Sequence, residues 1–227
     1  MVLISSQQNF VPKLKQHILP RIKAVLADER ATHGTTHIPS QGSSTAEDPD
    51  TDNQNDTTGV FFKNDCMYYH QTIKIHYTTY DVRRSQDILN PRTLHRDIMG
   101  LARPEGESGP ESMHPFWYAR ILKIFHVNVV YTGVGMIDYH PRRLDVLWVR
   151  WFQLTESPPG LGTRRLDPVS FLAQASEAAF GFLDPSDVLR GCQIIPAFKK
   201  GRVHEDGRGL SRYAGDANDW RGYLVNK

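Results

Sequence analysis

The strongest strand signal in the chain is the stretch FWYARILKIFHVNVVY, at positions 116–131. Every second residue from Trp117 to Tyr131 is apolar, with Lys123 as the single interruption, while the opposite set of positions is mixed. This period of two is typical of a strand that turns one face to a core. Because few strands are this long, we expect a bend or a bulge, as in the strands of small barrels.

Further strand signals lie on both sides of this stretch. Residues 144–152, LDVLWVRWF, are apolar on both faces, which predicts a central strand of a curved sheet. Residues 67–80, 192–198 and 220–226 are predicted to form strands, residues 170–179 a short helix, and Asp184 to cap a helical turn. Strands and helices do not alternate, so we predict a mainly β fold: a small, partly open β-barrel with short helical insertions.

The N-terminal part has a different composition. Apolar residues recur at helical spacing from Phe10 to Val25, which predicts an N-terminal amphipathic helix within residues 1–30, kinked or broken at Pro20. Residues 31–59 are polar, nearly without large aliphatic side chains, and their carboxylates make them acidic. They are predicted to be a disordered acidic linker that precedes a barrel-like domain of residues 60–227.

Overall composition limits the classes of function. The chain has 227 residues, 39% of them hydrophobic, and a net charge of +2, so any basic surface must come from local clustering. The only cysteines are Cys66 and Cys192, which argues against a disulfide framework. No signal peptide and no apolar run of about 20 residues is recognisable, so we expect an intracellular, non-secreted protein of the nucleus or cytoplasm that does not contact membranes.

Motifs for catalysis are missing from the sequence. There is no phosphate-binding loop, no dinucleotide fingerprint and no nucleophile elbow, and the cysteines and histidines lack the spacing of a metal site. We therefore predict a non-enzymatic protein with no catalytic residues, no metal and no cofactor. One alternative stays open, an accessory fragment of a nuclease or transposase that uses Mg²⁺ through carboxylates such as Asp81 or Asp87.

Aromatic residues concentrate on the two principal strands. Trp117, Tyr118, Trp148 and Trp151 are the candidates for an aromatic groove that binds a ligand, either as a cage for methylated lysine or as a platform for bases. Aromatic residues at strand positions are more often part of the core, and that interpretation stays open beside the first.

Paired arginines are the second candidate binding feature. Arg83 with Arg84, and Arg142 with Arg143, could contact DNA phosphates or an acidic protein partner. For each pair, the alternative interpretation is ordinary surface charge.

Several segments resemble a known family. The segments that carry the likeness are FVPKLK at 10–15, YTTYDVRRSQD at 77–87, HPFWYARI at 114–121, LWVRWF at 147–152 and AFGFLDP at 179–185. They are similar to the C-terminal region of Plavaka-type transposon proteins of mushroom-forming fungi. In that family the transposase resides in a separate upstream region, so the resemblance implies a transposon-derived module without transposase activity.

A more distant likeness concerns the order of three motifs. WYARI at 117–121, VRWF at 149–152 and DVLRGC at 187–192 follow one another as in bromo-adjacent homology domains, which are β-barrel modules that bind chromatin. The resemblance implies a barrel and, as partners, a chromatin protein or histone tail and possibly DNA. The expected function is a non-catalytic chromatin- or DNA-associated interaction module. A structural role in an assembly is the other alternative, and the oligomeric state is open.

Overall fold

The computed structural model describes residues 9–33, 57–79, 81–102, 114–155, 166–211 and 214–226. Within them, the chain is mainly β, with one α-helix, several short 3₁₀ turns and eleven strands. The elements are α1 Phe10–His33, β1 Val60–His70, β2 Ile73–Thr78, β3 Arg84–Leu89, β4 Asp97–Leu101, β5 Phe116–Tyr131, β6 Arg142–Leu154, β7 Asp167–Phe171, β8 Phe180–Leu183, β9 Arg190–Gly191, β10 Gln193–Pro196 and β11 Tyr223–Asn226.

The chain divides into two compact units. Among the described residues, unit 1 contains those within 68–125 and 145–226, and unit 2 contains those within 9–67 and 126–144. Strands β5 and β6 therefore contribute residues to both units.

The sheet of unit 1 has the strand order β10-β11-β7-β6-β5-β4-β9, and β8 pairs with β6 outside this path. Its antiparallel register pairs Asp97 of β4 with Arg120 of β5, and Phe152 of β6 with Phe171 of β7. Strand β11 lies between β7 and β10 and pairs with both. Each of these pairings places polar and aromatic side chains from separate parts of the sequence beside one another.

Two apolar clusters form the core of unit 1. One contains Ala119 and Ile121 of β5 with Leu147 and Val149 of β6, whereas Tyr118 of β5 belongs to the other cluster. Neighbouring residues of one strand point to opposite faces. The sheet is therefore buried on both faces here, which explains why β6 is apolar on both sides and confirms its predicted central position.

Strands β2 and β3 form a separate antiparallel hairpin within unit 1. Ile73 pairs with Leu89, and Thr78 pairs with Arg84. The sequence of β3, RSQDIL, is largely polar and gives no strand signal. Its conformation follows from the pairing with β2, because an antiparallel partner supplies the hydrogen bonds that local sequence does not specify.

Unit 2 is built on α1. Leu14, Ile18, Ile22 and Leu26 are each buried almost completely and recur every fourth residue, which places them on one face of the helix. Strand parts of the same unit add Val60, Val127 and Val129 to this buried set. The predicted amphipathic helix is confirmed, and it extends past residue 30 to His33. Most of the predicted linker, residues 34–56, lies outside the described residues.

Helix α1 continues through Pro20, so of the predicted kink or break the break is wrong, and the kink stays a prediction. Proline cannot donate the hydrogen bond that the Gln16 carbonyl would receive in a regular helix. Pro20 and Gln16 both lie on the exposed side, where water can supply the missing donor. The described part of the chain contains no helix that is both long and apolar enough to cross a membrane.

Two local predictions around β7 and β8 have different outcomes. The helix predicted for residues 170–179 is wrong over its first part, because Ser170 and Phe171 belong to β7 and only Glu177–Ala179 are helical, as a 3₁₀ turn. The predicted cap is confirmed: the Asp184 side chain accepts a hydrogen bond from the Ser186 amide at the start of the turn Pro185–Asp187.

Candidate functional site

Two arginines lie inside unit 1, each bonded to a carboxylate. Arg120 binds Asp97 through two hydrogen bonds, Nε to Oδ1 at 2.7 Å and Nη2 to Oδ2 at 3.0 Å. Arg150 donates from Nη1 to Oδ2 of Asp219. Only 8% of Arg120 and 5% of Arg150 is exposed. We call these four residues the buried arginine cluster. The two carboxylates neutralise the arginine charges inside the unit, so the cluster has a structural role.

Aromatic rings surround the buried arginine cluster. The guanidinium carbon of Arg150 lies 3.8 Å from the ring centre of Phe171, and that of Arg120 lies 4.9 Å from the same ring. Burial by itself would lower the pKa of Arg120, but the charge and hydrogen bonds of Asp97 outweigh this effect and raise it. The pair with Asp97 holds the Arg120 guanidinium in its charged form.

A second buried network engages Tyr118, one of the predicted ligand-binding residues. The Tyr118 hydroxyl donates to Oδ2 of Asp167 at 2.5 Å, and Nε2 of His114 lies 3.0 Å from the same oxygen. Burial, together with the hydrogen bond to Asp167, raises the pKa of Tyr118. Because Tyr118 is 2% exposed, its position corresponds to the core interpretation that the sequence left open.

The three predicted tryptophans also pack within unit 1. Trp148 is 6% exposed. Trp117 and Trp151 are half-buried and meet edge to face with ring centres 5.5 Å apart. Each of these two rings lies against a glycine, Gly100 and Gly181 respectively, where a Cβ atom would overlap the indole. A ligand-binding role for the four aromatic residues stays a prediction, since their present contacts are with the core.

The two predicted arginine pairs differ in their surroundings. Arg83 and Arg84 are exposed, and Arg83 forms an ion pair with Asp81 at 3.0 Å. Arg142 is held in unit 2 by two carboxylates, Glu29 and Asp138, each with a closest distance of 2.6 Å. Arg143 is exposed. The role of these arginines in binding DNA or an acidic partner stays a prediction, and Arg142 has a structural function already.

A different surface of unit 1 combines exposed cations with an exposed aromatic ring. It consists of Phe198, Lys199, Lys200, Arg202 and Trp220, and we call it the Phe198 surface. Phe198 is 66% exposed and meets Trp220 edge to face, with ring centres 5.0 Å apart. The guanidinium carbon of Arg202 lies 5.3 Å from the Trp220 ring centre. Among the described residues, none of the three cations has an acidic partner.

The backbone fixes this surface from two sides. Arg202 and Trp220 form an antiparallel bridge, and the Arg221 amide donates to the Gly201 carbonyl at 3.1 Å. Gly201 ends the 3₁₀ turn Phe198–Lys200 at φ 76°, a left-handed conformation that favours glycine. The surface is therefore a defined turn packed on a bridge, although the sequence from residue 201 onward predicts only a basic loop.

The Phe198 surface is connected to the buried arginine cluster through Asp219. The Trp220 amide donates to the Tyr223 hydroxyl at 2.9 Å, and this hydroxyl donates to Oδ1 of Asp219 at 3.3 Å. Asp219 is the partner of Arg150 in the cluster. Burial raises the pKa of Asp219, while the Arg150 charge opposes that rise. The buried ions thus position the backbone from which Trp220 projects.

Unit 1 also has an open cleft with a volume of about 670 Å³ between β3 and the β9–β10 segment. Asp87 lies in it and accepts hydrogen bonds from the Tyr77 hydroxyl at 3.2 Å and from the Gly191 amide at 2.8 Å. Burial raises the pKa of the Cys192 thiol to about 12, so the thiol stays protonated at neutral pH. Asp87 thus has a structural role in joining β3 to β9, and Cys192 is a poor nucleophile.

Sequence patterns indicate the basic character of residues 201–217 but not the Phe198 surface. They place Phe198 and Trp220 in two different strands, and nothing in the spacing predicts that the two rings meet. A useful signal is present in the run FKKGR at 198–202, where an aromatic residue and three cations occur beside a glycine.

Comparison of the chain with models of protein families, with curated proteins and with solved structures gives no match.

Proposed function

We propose that this protein is a non-catalytic interaction module that associates with chromatin by contacting DNA phosphates. The observation that carries the proposal is the Phe198 surface, on which Lys199, Lys200 and Arg202 are exposed without an acidic partner among the described residues. The resemblance to Plavaka-type proteins agrees with a transposon-derived module, and the proposed role requires access to the nucleus.

The contrast with the buried cations supports this assignment. Arg120 and Arg150 each have a carboxylate partner, so an added phosphate would compete with an existing ion pair. Among the residues that the structure describes, the cations of the Phe198 surface have no such competitor, and in the absence of a ligand they are hydrated. Phosphates would displace the counterions that neutralise them, which is the main source of sequence-independent DNA affinity.

Further basic residues extend the same segment. Arg208 and Arg221 are exposed, which brings the exposed basic side chains among the described residues of 198–221 to five, against the exposed carboxylates Glu205 and Asp206. The other two carboxylates of this range, Asp216 and Asp219, are buried. Arg221 pairs with Glu205 at 3.4 Å. The excess of positive charge persists after this pair is discounted, which favours an anionic partner.

We also propose that the sheet of unit 1 curls into a partly open barrel of the bromo-adjacent homology kind. Strands β9 and β10 stand at opposite ends of the pairing order, yet only Cys192 separates them in sequence. The Cys192 amide still donates to the Asp97 carbonyl at 2.9 Å, next to β9's pairing with β4. A single residue cannot span an extended sheet, and this short connection supports a sheet whose two ends approach each other.

The proposal is tested by measuring affinity for a short DNA duplex and for nucleosomes across a salt series. We expect log affinity to fall linearly with log salt concentration. The double variant Lys199→Gln, Lys200→Gln should reduce the slope by about 0.9 for each phosphate that the variant no longer neutralises. Lys74→Gln, at an exposed lysine of β2, is the matched control and should leave the slope unchanged.

Either of two results would contradict phosphate binding: absence of binding to both probes, or binding that does not respond to salt. Binding to nucleosomes without binding to the duplex would instead favour a histone tail as the partner. In that case the predicted aromatic residues Trp117 and Trp151 become the next positions to change.

A further inference from the structure

We infer that the Phe198 surface binds single-stranded nucleic acid, with an unpaired base stacked on the ring of Phe198. The inference rests on the proposed function, because the cations of the same surface are the ones proposed to contact phosphates. It adds a recognition element, a base-stacking ring, that contact with phosphates does not require.

Phe198 is largely exposed to solvent. A phenylalanine that is 66% exposed contributes little to the core, whereas most described aromatic residues of unit 1 are buried or partly buried. Phe198 and Trp220 are nearly perpendicular, with an interplanar angle of 84°. Whichever ring presents its edge, at least one face of Phe198 is not covered by Trp220. A flat apolar face is therefore open to solvent at a fixed position.

The ring of Phe198 is held in place before any ligand binds. The Ala197 amide donates to the Gly222 carbonyl at 2.9 Å, and the Lys200 amide donates to the Ala197 carbonyl at 2.8 Å. Phe198 lies within this turn, and its ring rests on Trp220. Because the platform is ordered already, binding a base does not require additional ordering of the backbone.

Positively charged side chains lie around the Phe198 ring. Lys199 and Lys200 follow Phe198 directly, and Arg202 lies over the neighbouring indole. A ligand that suits this arrangement repeats flat aromatic faces and negative charges along one chain. Single-stranded nucleic acid has this chemistry, since its phosphates alternate with bases that are free to stack. In a duplex the base faces are hidden from Phe198, although the phosphates stay accessible.

The test compares three labelled probes by fluorescence anisotropy, using the full 227-residue chain. The probes are a short oligothymidine, a strand of equal length made of abasic residues, and a duplex. The oligothymidine and the abasic strand have the same phosphates but differ in their bases. Wild-type protein should bind oligothymidine roughly 5- to 150-fold more tightly than the abasic strand, the range expected for stacking one base.

Variants at position 198 assign this difference to the ring. Phe198→Ala and Phe198→Leu should lower the affinity for oligothymidine to that of the abasic strand and leave affinity for the abasic strand nearly unchanged. Phe198→Tyr, which retains an aromatic ring, should keep most of the difference. The matched control is Tyr139→Ala, at an aromatic residue of unit 2 that is also 66% exposed, and it should change none of the affinities.

The possible outcomes separate the inference from the proposed function. Equal binding of oligothymidine and the abasic strand by wild-type protein overturns the inference alone, as does wild-type behaviour of Phe198→Leu. Failure to bind any of the three probes overturns both. If Phe198→Ala and Phe198→Leu lose affinity for all probes equally while their melting temperatures are unchanged, Phe198 does not distinguish bases, and the inference also fails.

Discussion

In both the buried arginine cluster and the Phe198 surface, an arginine lies against an aromatic ring. The arginine is buried in the cluster and exposed on the surface. In the cluster, Arg150 lies 3.8 Å from the Phe171 ring centre, and on the surface, Arg202 lies 5.3 Å from the Trp220 ring centre. The cluster adds carboxylates and excludes water, whereas the surface lacks an acidic partner for Arg202 among the described residues. Carboxylate partners, more than the aromatic contact, therefore distinguish a structural arginine from a candidate binding arginine.

The same distinction applies to the arginine pairs that the sequence indicates. Arg142 resembles the cluster arginines, since Glu29 and Asp138 both bind its guanidinium. The hydrogen bond from Arg142 to Glu29, followed by that to Asp138, raises the pKa of Arg142. Arg84 is exposed, as Arg202 is. Adjacent arginines in a sequence can thus have different functions, because their partners come from distant segments.

The largest effect is expected from removing a carboxylate of the cluster. Asp219→Ala leaves Arg150 buried without its ion-pair partner, which should lower the free energy of unfolding by about 3–5 kcal/mol in urea denaturation. Glu205→Ala is the control, because its pair with Arg221 is exposed and should contribute no more than about 1 kcal/mol. Similar losses in both variants would contradict the distinction between a buried and an exposed pair.

A smaller effect is expected at Tyr118. Tyr118→Phe removes the hydroxyl that donates to Asp167, and since hydrogen bonds to charged groups are stronger than average, stability should fall by about 1.5–3 kcal/mol. Affinity for DNA should not change. The exposed Tyr139→Phe serves as the control for loss of a hydroxyl. A variant with wild-type stability and reduced binding would instead support the predicted ligand-binding role of Tyr118.

The smallest effects come from a matched pair of arginine variants, Arg142→Met and Arg202→Met. The first should lower the free energy of unfolding by about 1 kcal/mol and leave the salt dependence of DNA binding unchanged. The second should change stability by less than about 0.5 kcal/mol and reduce the salt slope by about 0.9. If Arg142→Met reduced the salt slope and Arg202→Met lowered stability, carboxylate partners would not distinguish structural from binding arginines.

Much of the strand arrangement could be predicted because strong local patterns coincide with burial. Strand β5 has the bounds that its alternation of apolar residues predicts, and β6 has the two apolar faces of a central strand. The polar strand β3 could not be predicted, since its conformation depends on β2. Likewise β7 replaces a predicted helix at residues 170 and 171, where pairing with β6 outweighs helix propensity.

The sequence predicts the candidate site less well than it predicts the fold. Aromatic residues on strongly predicted strands are obvious candidates for a binding site. Tyr118 and Trp148 are nevertheless buried, because the apolar pattern that predicts a strand also predicts burial. Phe198 lies in a short turn, where no periodic pattern indicates whether a side chain faces solvent. Its partnership with Trp220 depends on a bridge between residues 202 and 220, a contact that only the tertiary structure defines.

The position of β11 has a consequence for biosynthesis. Strand β11 occupies the place between β7 and β10, and among the described strands β10 has no other partner. A ribosome adds residues 223–226 after every other strand of the sheet has been made. Until then the nascent chain carries unpaired edges on β7 and β10, which can pair with other chains. The sheet can therefore be completed only after β11 emerges from the ribosome. Protection by a chaperone is most valuable between the emergence of β10 and that of β11.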